Sequence, residues 1–139
     1  KDQAAKVRKL THELKTEPAN AIRDAAGLVD GLAGEFEQQG EILTNLVNLG
    51  AGAHTMYNHS INVTILSLSL AAVRGIQGDE LRHLARGALL HDVGKVELPG
   101  PILNKKTKLT SAENGVYQRH TTLGRNLCEL VEGTRYAVT

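Results

Sequence analysis

The stretch that decides the fold is residues 61–73, with the sequence INVTILSLSLAAV. Val63, Ile65 and Leu68, with Thr and Ser between them, partly resemble the alternation of a strand. Read at helical spacing, the same stretch has two apolar faces, and the pattern continues for about four turns without a turn residue. One face carries His59, Val63, Leu66, Leu70 and Val73, and the other carries Ile61, Ile65, Leu68 and Ala72. Because a helix that is apolar on two faces is usually buried, we predict a central helix here.

Composition favours helices throughout the chain. Hydrophobic residues make up 41% of the 139 residues, whereas aromatic residues make up only 3% and Trp is absent. The core must therefore be built from Leu, Ile, Val and Ala. Proline occurs only at positions 18, 99 and 101, so long stretches can be helical. We predict an all-α bundle in one domain or a piece of one.

A glycine-rich break, Gly50-Ala51-Gly52, suggests an internal boundary. We predict an N-terminal helical region over residues 1–52, made of linker or dimer helices, and a second region over residues 53–139. In the first region, three glycines at helical spacing would let another helix approach closely. They are Gly27, Gly31 and Gly34.

Local signals place three helix starts. Pro18 suits the first turn of a helix, and Asp79 is predicted to be the N-cap of another. Thr110-Ser111-Ala112-Glu113 has the form of a capping box. We therefore expect a helix to begin near Ser111 and to carry His120.

Charge and cysteine content narrow the function classes. The formal net charge is only +1, which predicts neither strong nucleic-acid binding nor attraction to an anionic membrane. The most apolar stretch, residues 61–73, is too short to span a bilayer. The single cysteine, Cys128, has no internal disulfide partner and is expected to be a small core residue. We expect a cytoplasmic protein without membrane insertion.

A histidine and an aspartate follow an apolar run at Leu89 and Leu90. A lone carboxylate at Asp92 would be costly to bury, and a metal ion removes that cost by binding imidazole nitrogen and carboxylate oxygen together. Lys95 lies four residues after His91, where its charge suits a phosphate oxygen. His59 begins the predicted central helix. The structural alternative to a metal site gives each residue an ordinary place. His91 would end a helix and His59 would be a core residue. His120 would lie at the surface, and Lys95 would be solvated.

Several separated motifs occur in one order. They are Asn58-His59-Ser60-Ile61-Asn62-Val63, His91-Asp92-Val93-Gly94-Lys95, Ile102-Leu103-Asn104-Lys105 with Leu109-Thr110, and His120 with Gly124. Over residues 54–131 the sequence resembles the HD-GYP branch of the HD phosphohydrolases. The resemblance implies an all-helical bundle of the HD-domain type around two or three metal ions, usually iron or manganese. It also implies hydrolysis of cyclic di-GMP, a bacterial second messenger.

The resemblance also implies a role for each motif residue. His59 and His91 would bind a first metal, His120 would bind a second, and Asp92 would bridge the two. Lys95 would contact the scissile phosphate or the metal-bound hydroxide. Asp92 and Lys95 are thus the expected catalytic residues. The metals with Lys95 would stabilise charge that builds on the phosphoryl oxygens.

Three departures from the family pattern qualify these expectations. Thr121 replaces the usual Pro after His120, which we expect to alter only the local turn. The family's His-His-Glu and Gly-Tyr-Pro segment is absent, so we expect a bundle incomplete at the C-terminus and only part of a site. Thr55 replaces a Glu that holds a third metal in some members, so we expect two metals in the full protein.

Other readings stay open. The chain could belong to another HD phosphohydrolase acting on a nucleotide or alarmone, or to a non-catalytic signalling module. Sensory or receiver domains in the parent protein and a homodimer are possible partners. The remaining histidines, His12, His54 and His83, are expected at the surface. A lysine cluster is expected to be a solvated loop or, less often, to attract the anionic dinucleotide; it comprises Lys105, Lys106 and Lys108.

Overall fold

The computed structural model describes residues 12–39 and 56–131. Residues 12–16 are helical, and the helices that follow within these ranges are α1 Pro18–Gln39, α2 Met56–Val73, α3 Gly78–Leu90, α4 Gly100–Leu103, α5 Ser111–Gln118 and α6 His120–Glu129. A 3₁₀ helix, Val93–Glu97, connects α3 to α4. The described ranges contain no strand, which confirms the all-α prediction. None of their helices is long and apolar enough to cross a membrane.

Two of the three predicted helix starts are confirmed. Pro18 opens α1, and at α5 the Glu113 N–H donates to the Thr110 hydroxyl while the Thr110 N–H donates to the Glu113 carboxylate. The prediction for Asp79 was wrong, since the N-cap of α3 is Gln77. The preceding turn uses the left-handed conformation at Gly75, where φ is 70°, and Gly78, the first residue of α3, also has a positive φ, of 62°. Asp79 therefore lies in the first turn, where its charge still favours the helix dipole.

Residues 61–73 are helical, as predicted, but only one face of this stretch is buried. Ile65, Leu68 and Ala71 are buried. The other face is solvent-exposed, because α2 packs chiefly against α3. Its side chains are Leu66 at 64% exposure, Leu70 at 65% and Val73 at 84%. These three residues are called the outer face of α2 below.

Two clusters of buried side chains form the core. The first joins α1, the end of α3, the 3₁₀ helix and α6, and comprises Leu14, Ala21, Ile22, Leu90, Val93, Val96, Leu127, Cys128 and Val131. The second joins α1, α2 and α3, and comprises Val29, Ala33, Phe36, Leu68, Ala71, Leu81 and Ala85. Leu89 packs against both clusters. Cys128 is fully buried, as predicted, and burial raises the pKa of its thiol to about 11.

An ion pair also connects α1 to α3. The Arg86 guanidinium donates to both carboxylate oxygens of Asp30, with Nε at 2.8 Å from Oδ1. This hydrogen bonding to Asp30 outweighs the effect of burial and raises the pKa of Arg86 above its ordinary value. Helix α1 therefore packs against the elements that follow it through both apolar and polar contacts.

One further expectation was wrong, and another stays a prediction. The space beside each of the three α1 glycines is open within the described ranges, so a close approach by another helix at these positions stays a prediction. His120 is not carried by the helix that begins at Ser111, because the chain breaks at Arg119 and α6 begins at His120. Gly124 lies inside α6.

Candidate metal centre

Asp92 is the hub of the candidate site. It follows α3 directly, and only 6% of its side chain is exposed. One carboxylate oxygen, Oδ2, lies 3.3 Å from Nε2 of His91 and 3.8 Å from Nε2 of His59. The other oxygen, Oδ1, lies 3.6 Å from Nε2 of His120. The structure thus brings together all four residues that the sequence proposed as metal ligands.

Backbone hydrogen bonds orient two of the imidazole rings. Nδ1 of His91 lies 2.8 Å from the Ala88 carbonyl, and Nδ1 of His120 lies 2.7 Å from the Tyr117 carbonyl. A carbonyl only accepts, so each Nδ1 carries the hydrogen, and in the neutral ring Nε2 keeps its lone pair. Metal-binding histidines are commonly oriented in this way.

This donor set fits a cation. In neutral rings the Nε2 lone pairs of His91 and His120 face the Asp92 oxygens, so acceptors lie opposite acceptors unless a cation lies between them. Ligand atoms of His59, His91 and Asp92 all lie within 4.8 Å of one another. Ligands at about 2.0–2.2 Å from a shared ion lie near such separations. Mixed imidazole and carboxylate ligands suit first-row transition metals.

The candidate ligands differ in exposure. The side chain of His59, on α2, is 57% exposed, whereas that of His120 is 15% exposed. The His59 and His91 rings meet edge to face, with centroids 5.2 Å apart. The site is therefore closed on the α6 side and open on the α2 side.

Lys95 also contacts Asp92. Its Nζ donates to Oδ2 over 2.5 Å, and its side chain is 18% exposed. Burial disfavours the ammonium, but hydrogen bonds to the side chains of Asp92 and Tyr117 outweigh this effect and raise the pKa of Lys95 above its ordinary value. Lys95 is thus a cation held within the candidate site.

Two glycines let the site assemble. A Cβ at Gly94 would lie 2.0 Å from the His120 carbonyl oxygen and 2.3 Å from the Gly124 backbone nitrogen. The 3₁₀ helix and α6 therefore meet backbone against backbone, which only glycine at position 94 allows. The structure identifies α6 as the element that packs against Gly94.

Sequence reasoning missed one site residue, Tyr117. Its ring centroid lies 5.3 Å from Lys95 Nζ and 5.2 Å from the His120 ring centroid. An aromatic residue three positions before a histidine shares its side of a continuous helix, and this spacing was the available clue. Because the chain breaks at Arg119, only the structure could establish the contact.

The remaining sequence candidates have varied outcomes. Lys105 is neither solvated nor free for an anion, because its Nζ bonds both Glu113 oxygens, at 2.7 and 2.5 Å. Lys106 and Lys108 are exposed, as is His12, whereas His83 is half-buried. The predictions for His54 and Thr55 lie outside the described residues.

Comparison with known proteins defines the class. The family model for the HD domain matches residues 56–136, more than half of the chain. The chain therefore belongs to the HD domain family, and the site described above is built from the motifs of that resemblance.

The relatives narrow the class further. A cyclic di-GMP phosphodiesterase of Pseudomonas aeruginosa is 35% identical over 103 residues, covering 74% of this chain and 25% of the relative. A 3′3′-cGAMP-specific phosphodiesterase of Vibrio cholerae is 33% identical over 92 residues, covering 66% of this chain and 21% of the relative. Ribonuclease Y of Thermotoga maritima is 31% identical over 94 residues, covering 66% of this chain and 18% of the relative.

These matches support the HD-GYP branch of the superfamily, since two of the three relatives are cyclic-dinucleotide phosphodiesterases. The chain spans about a quarter or less of the length of each of these relatives. No solved structure matches the chain significantly.

Proposed function

We propose that this chain is part of a metal-dependent phosphodiesterase that hydrolyses cyclic di-GMP. The observation that carries the proposal is the buried Asp92 carboxylate, with three imidazole Nε2 atoms and one ammonium directed at it. The phosphodiesterase of Pseudomonas aeruginosa, which covers 74% of the chain, supports the choice of substrate. The domain over residues 53–139 would carry the chemistry.

The site would hold two divalent metal ions, iron or manganese. His59, His91 and Asp92 would hold the first ion, and His120 and Asp92 would hold the second. The two-sided arrangement of histidines supports a bridging role for Asp92. When bound, such ions supply Lewis acidity that activates water and neutralises phosphate charge.

The protein's own groups would orient the reaction. The Nδ1–H bonds of His91 and His120 to carbonyls hold the rings with Nε2 directed into the site. The Lys95 ammonium would bind a phosphoryl oxygen and stabilise the charge that builds there in the transition state. The exposed His59 side leaves room for a dinucleotide to enter.

A second candidate is hydrolysis of a linear RNA phosphodiester, which the similarity to ribonuclease Y favours. The net charge of +1 weighs against it, because RNA binding usually needs a basic surface. A nucleotide or alarmone substrate and a non-catalytic signalling role are the remaining alternatives.

The proposal extends to the setting of the chain. A cytoplasmic location suits a second-messenger substrate and a chain with a single cysteine. Residues 1–52 would connect the catalytic region to a sensory or receiver domain, or form a homodimer, without membrane insertion.

The decisive experiment measures metal and hydrolysis together. The chain is purified without chelator, and iron and manganese are counted by elemental analysis for wild type, Asp92→Asn, His91→Ala and His120→Ala. Asp79→Asn, an exposed carboxylate on α3, is the matched control. We expect two ions in the full protein. In this chain, which holds only part of the site, we expect metal in wild type and the control, less after His91→Ala or His120→Ala, and almost none after Asp92→Asn.

Each metal-loaded protein is then given cyclic di-GMP, 3′3′-cGAMP and a short RNA, and chromatography separates linear dinucleotide from GMP. Hydrolysis of cyclic di-GMP that Asp92→Asn abolishes would support the proposal. Cleavage of the RNA, with neither cyclic dinucleotide hydrolysed, would favour the second candidate, hydrolysis of a linear RNA phosphodiester. Metal no higher in wild type than in Asp92→Asn would overturn the metal centre and favour a non-catalytic role.

A further inference from the structure

Lys95 and a metal ion would both bind the same atom, Oδ2 of Asp92. Nζ of Lys95 donates to Asp92 Oδ2 over 2.5 Å, and this oxygen is also the one nearest to Nε2 of His91 and of His59. A divalent ion on Oδ2 would meet an ammonium at close range, where like charges repel strongly in a partly buried site. Binding of the ion therefore requires the Lys95 ammonium to leave Asp92.

Only the side chain of Lys95 is free to move. Its backbone lies in the 3₁₀ helix, where its N–H donates to the Asp92 carbonyl over 3.0 Å. The adjacent Gly94 is locked against α6 by backbone contact. The displaced ammonium must therefore find a partner within reach of its flexible stem.

Tyr117 offers that partner. Its ring centroid is already 5.3 Å from Nζ, within the distance at which an aromatic face attracts a cation. The ring also packs against His120, and the Tyr117 carbonyl accepts from Nδ1 of the same histidine. A cation moved from Asp92 towards Tyr117 would therefore remain beside the site.

We propose that Tyr117 is a positioning residue, which receives the Lys95 ammonium when metal displaces it from Asp92 and holds it where a phosphate oxygen can bind. The competition between Lys95 and metal stands on geometry alone. The role towards a phosphate rests on the proposed function.

A double-mutant cycle on Mn²⁺ affinity tests the competition without any substrate. Wild type, Lys95→Met, Tyr117→Leu and the double variant are titrated, with Gln118→Ala, an exposed neighbour, as the control. Lys95→Met removes the competitor and is expected to bind Mn²⁺ roughly tenfold more tightly. Tyr117→Leu removes the second partner and is expected to bind about threefold more weakly.

The double variant discriminates between roles. If Tyr117 acts through Lys95, Tyr117→Leu has no further effect in the Lys95→Met background. An equal weakening in both backgrounds would overturn the proposal, as would unchanged or weaker binding after Lys95→Met. Tyr117→Phe keeps the ring and removes the hydroxyl, so it shows which of the two groups acts on Lys95. Circular dichroism checks that this variant is folded, which guards against misreading a folding defect.

The same variants then test the phosphate role on cyclic di-GMP. We expect Tyr117→Leu to lower kcat about tenfold with little change in KM, and to have no further effect once Lys95 is Met. Coupled Mn²⁺ affinities without hydrolysis by the wild-type full protein would leave the competition standing and remove the proposed function. Hydrolysis with independent effects of Lys95 and Tyr117 on Mn²⁺ affinity would remove the competition and leave the proposed function standing.

Discussion

The contact between the 3₁₀ helix and α6 differs sharply from the outer face of α2. At the first, Gly94 meets the His120 carbonyl and Gly124 backbone to backbone, above the first core cluster. At the second, Leu66, Leu70 and Val73 are each more than 60% exposed. Both regions supply candidate metal ligands, with Asp92 and His120 from the packed region and His59 from α2. The comparison teaches that the site is rigidly built on one side and accessible on the other.

The largest effect is expected from Gly94→Ala. The added Cβ would overlap backbone atoms, which no side-chain rotation can relieve, so we expect a loss of at least about 3 kcal/mol of unfolding free energy. Metal content should fall with it, because the overlap separates Asp92 from His120. Urea unfolding and elemental analysis measure both effects.

Gly115→Ala is the matched control for this change. Gly115 lies in α5, with nothing within 4 Å of the position of a Cβ. Alanine there should stabilise by about 0.5–1 kcal/mol. Equal effects at positions 94 and 115 would contradict the backbone contact.

The two faces of α2 can be compared directly with one substitution. Leu68 is 1% exposed and belongs to the second core cluster, so Leu68→Ala should cost about 3 kcal/mol. Leu66→Ala on the outer face should change the unfolding free energy by less than about 0.5 kcal/mol. Thermal and urea unfolding of both variants test this. A similar cost at both positions would show that the outer face is covered in solution.

A smaller effect is expected at the ion pair between α1 and α3. Arg86→Met leaves the half-buried Asp30 carboxylate without its bidentate partner, which should cost about 2 kcal/mol. Arg125 pairs with the exposed Glu129 within α6, so Arg125→Met should cost less than about 0.5 kcal/mol. Urea unfolding at low and moderate salt measures both. If moderate salt removes the whole loss of unfolding free energy caused by Arg86→Met, the Arg86–Asp30 pair behaves as an ordinary exposed ion pair.

The smallest effect is a pH dependence at the start of α5. Hydrogen bonding from Lys105, then from Thr110, lowers the pKa of Glu113 from 4.5 to about 2. The folded pKa lies below the unfolded one, so this contribution is complete above pH 4.5 and is lost as the pH falls towards 2. Unfolding free energies of wild type and Glu113→Gln should converge over that interval, and Gln can still accept in the capping box.

Glu129→Gln is the matched control variant, since Glu129 forms an exposed ion pair with Arg125. A constant difference for Glu113→Gln would contradict the lowered pKa.

Much of the site could be predicted because its residues lie in short motifs. His91, Asp92 and Lys95 are close in sequence, so the local chain already brings them near one another. His59 and His120 required the order of motifs in the family. Tyr117 could not be predicted, because its contact with Lys95 depends on how α5 approaches the 3₁₀ helix across a break at Arg119.

Helix starts show the same division. The Thr110–Glu113 capping box was predicted correctly because both partners are local. Asp79 was misplaced by two residues because the turn before α3 uses glycine in the left-handed region, where several registers suit the sequence equally. Lys105 looked solvated, yet its partner Glu113 lies eight residues away on the next helix.

The sequence by itself determined that the chain is helical, that its core is largely aliphatic, and which histidines and aspartate are the candidate metal ligands. These properties follow from periodicity and from motifs, which are local. Only the tertiary structure decided which face of α2 is buried, which backbone fills the space beside Gly94, and which aromatic ring stands beside Lys95. The reason is physical: an apolar stripe fixes what a helix can bury, whereas the packing of distant segments decides what covers it.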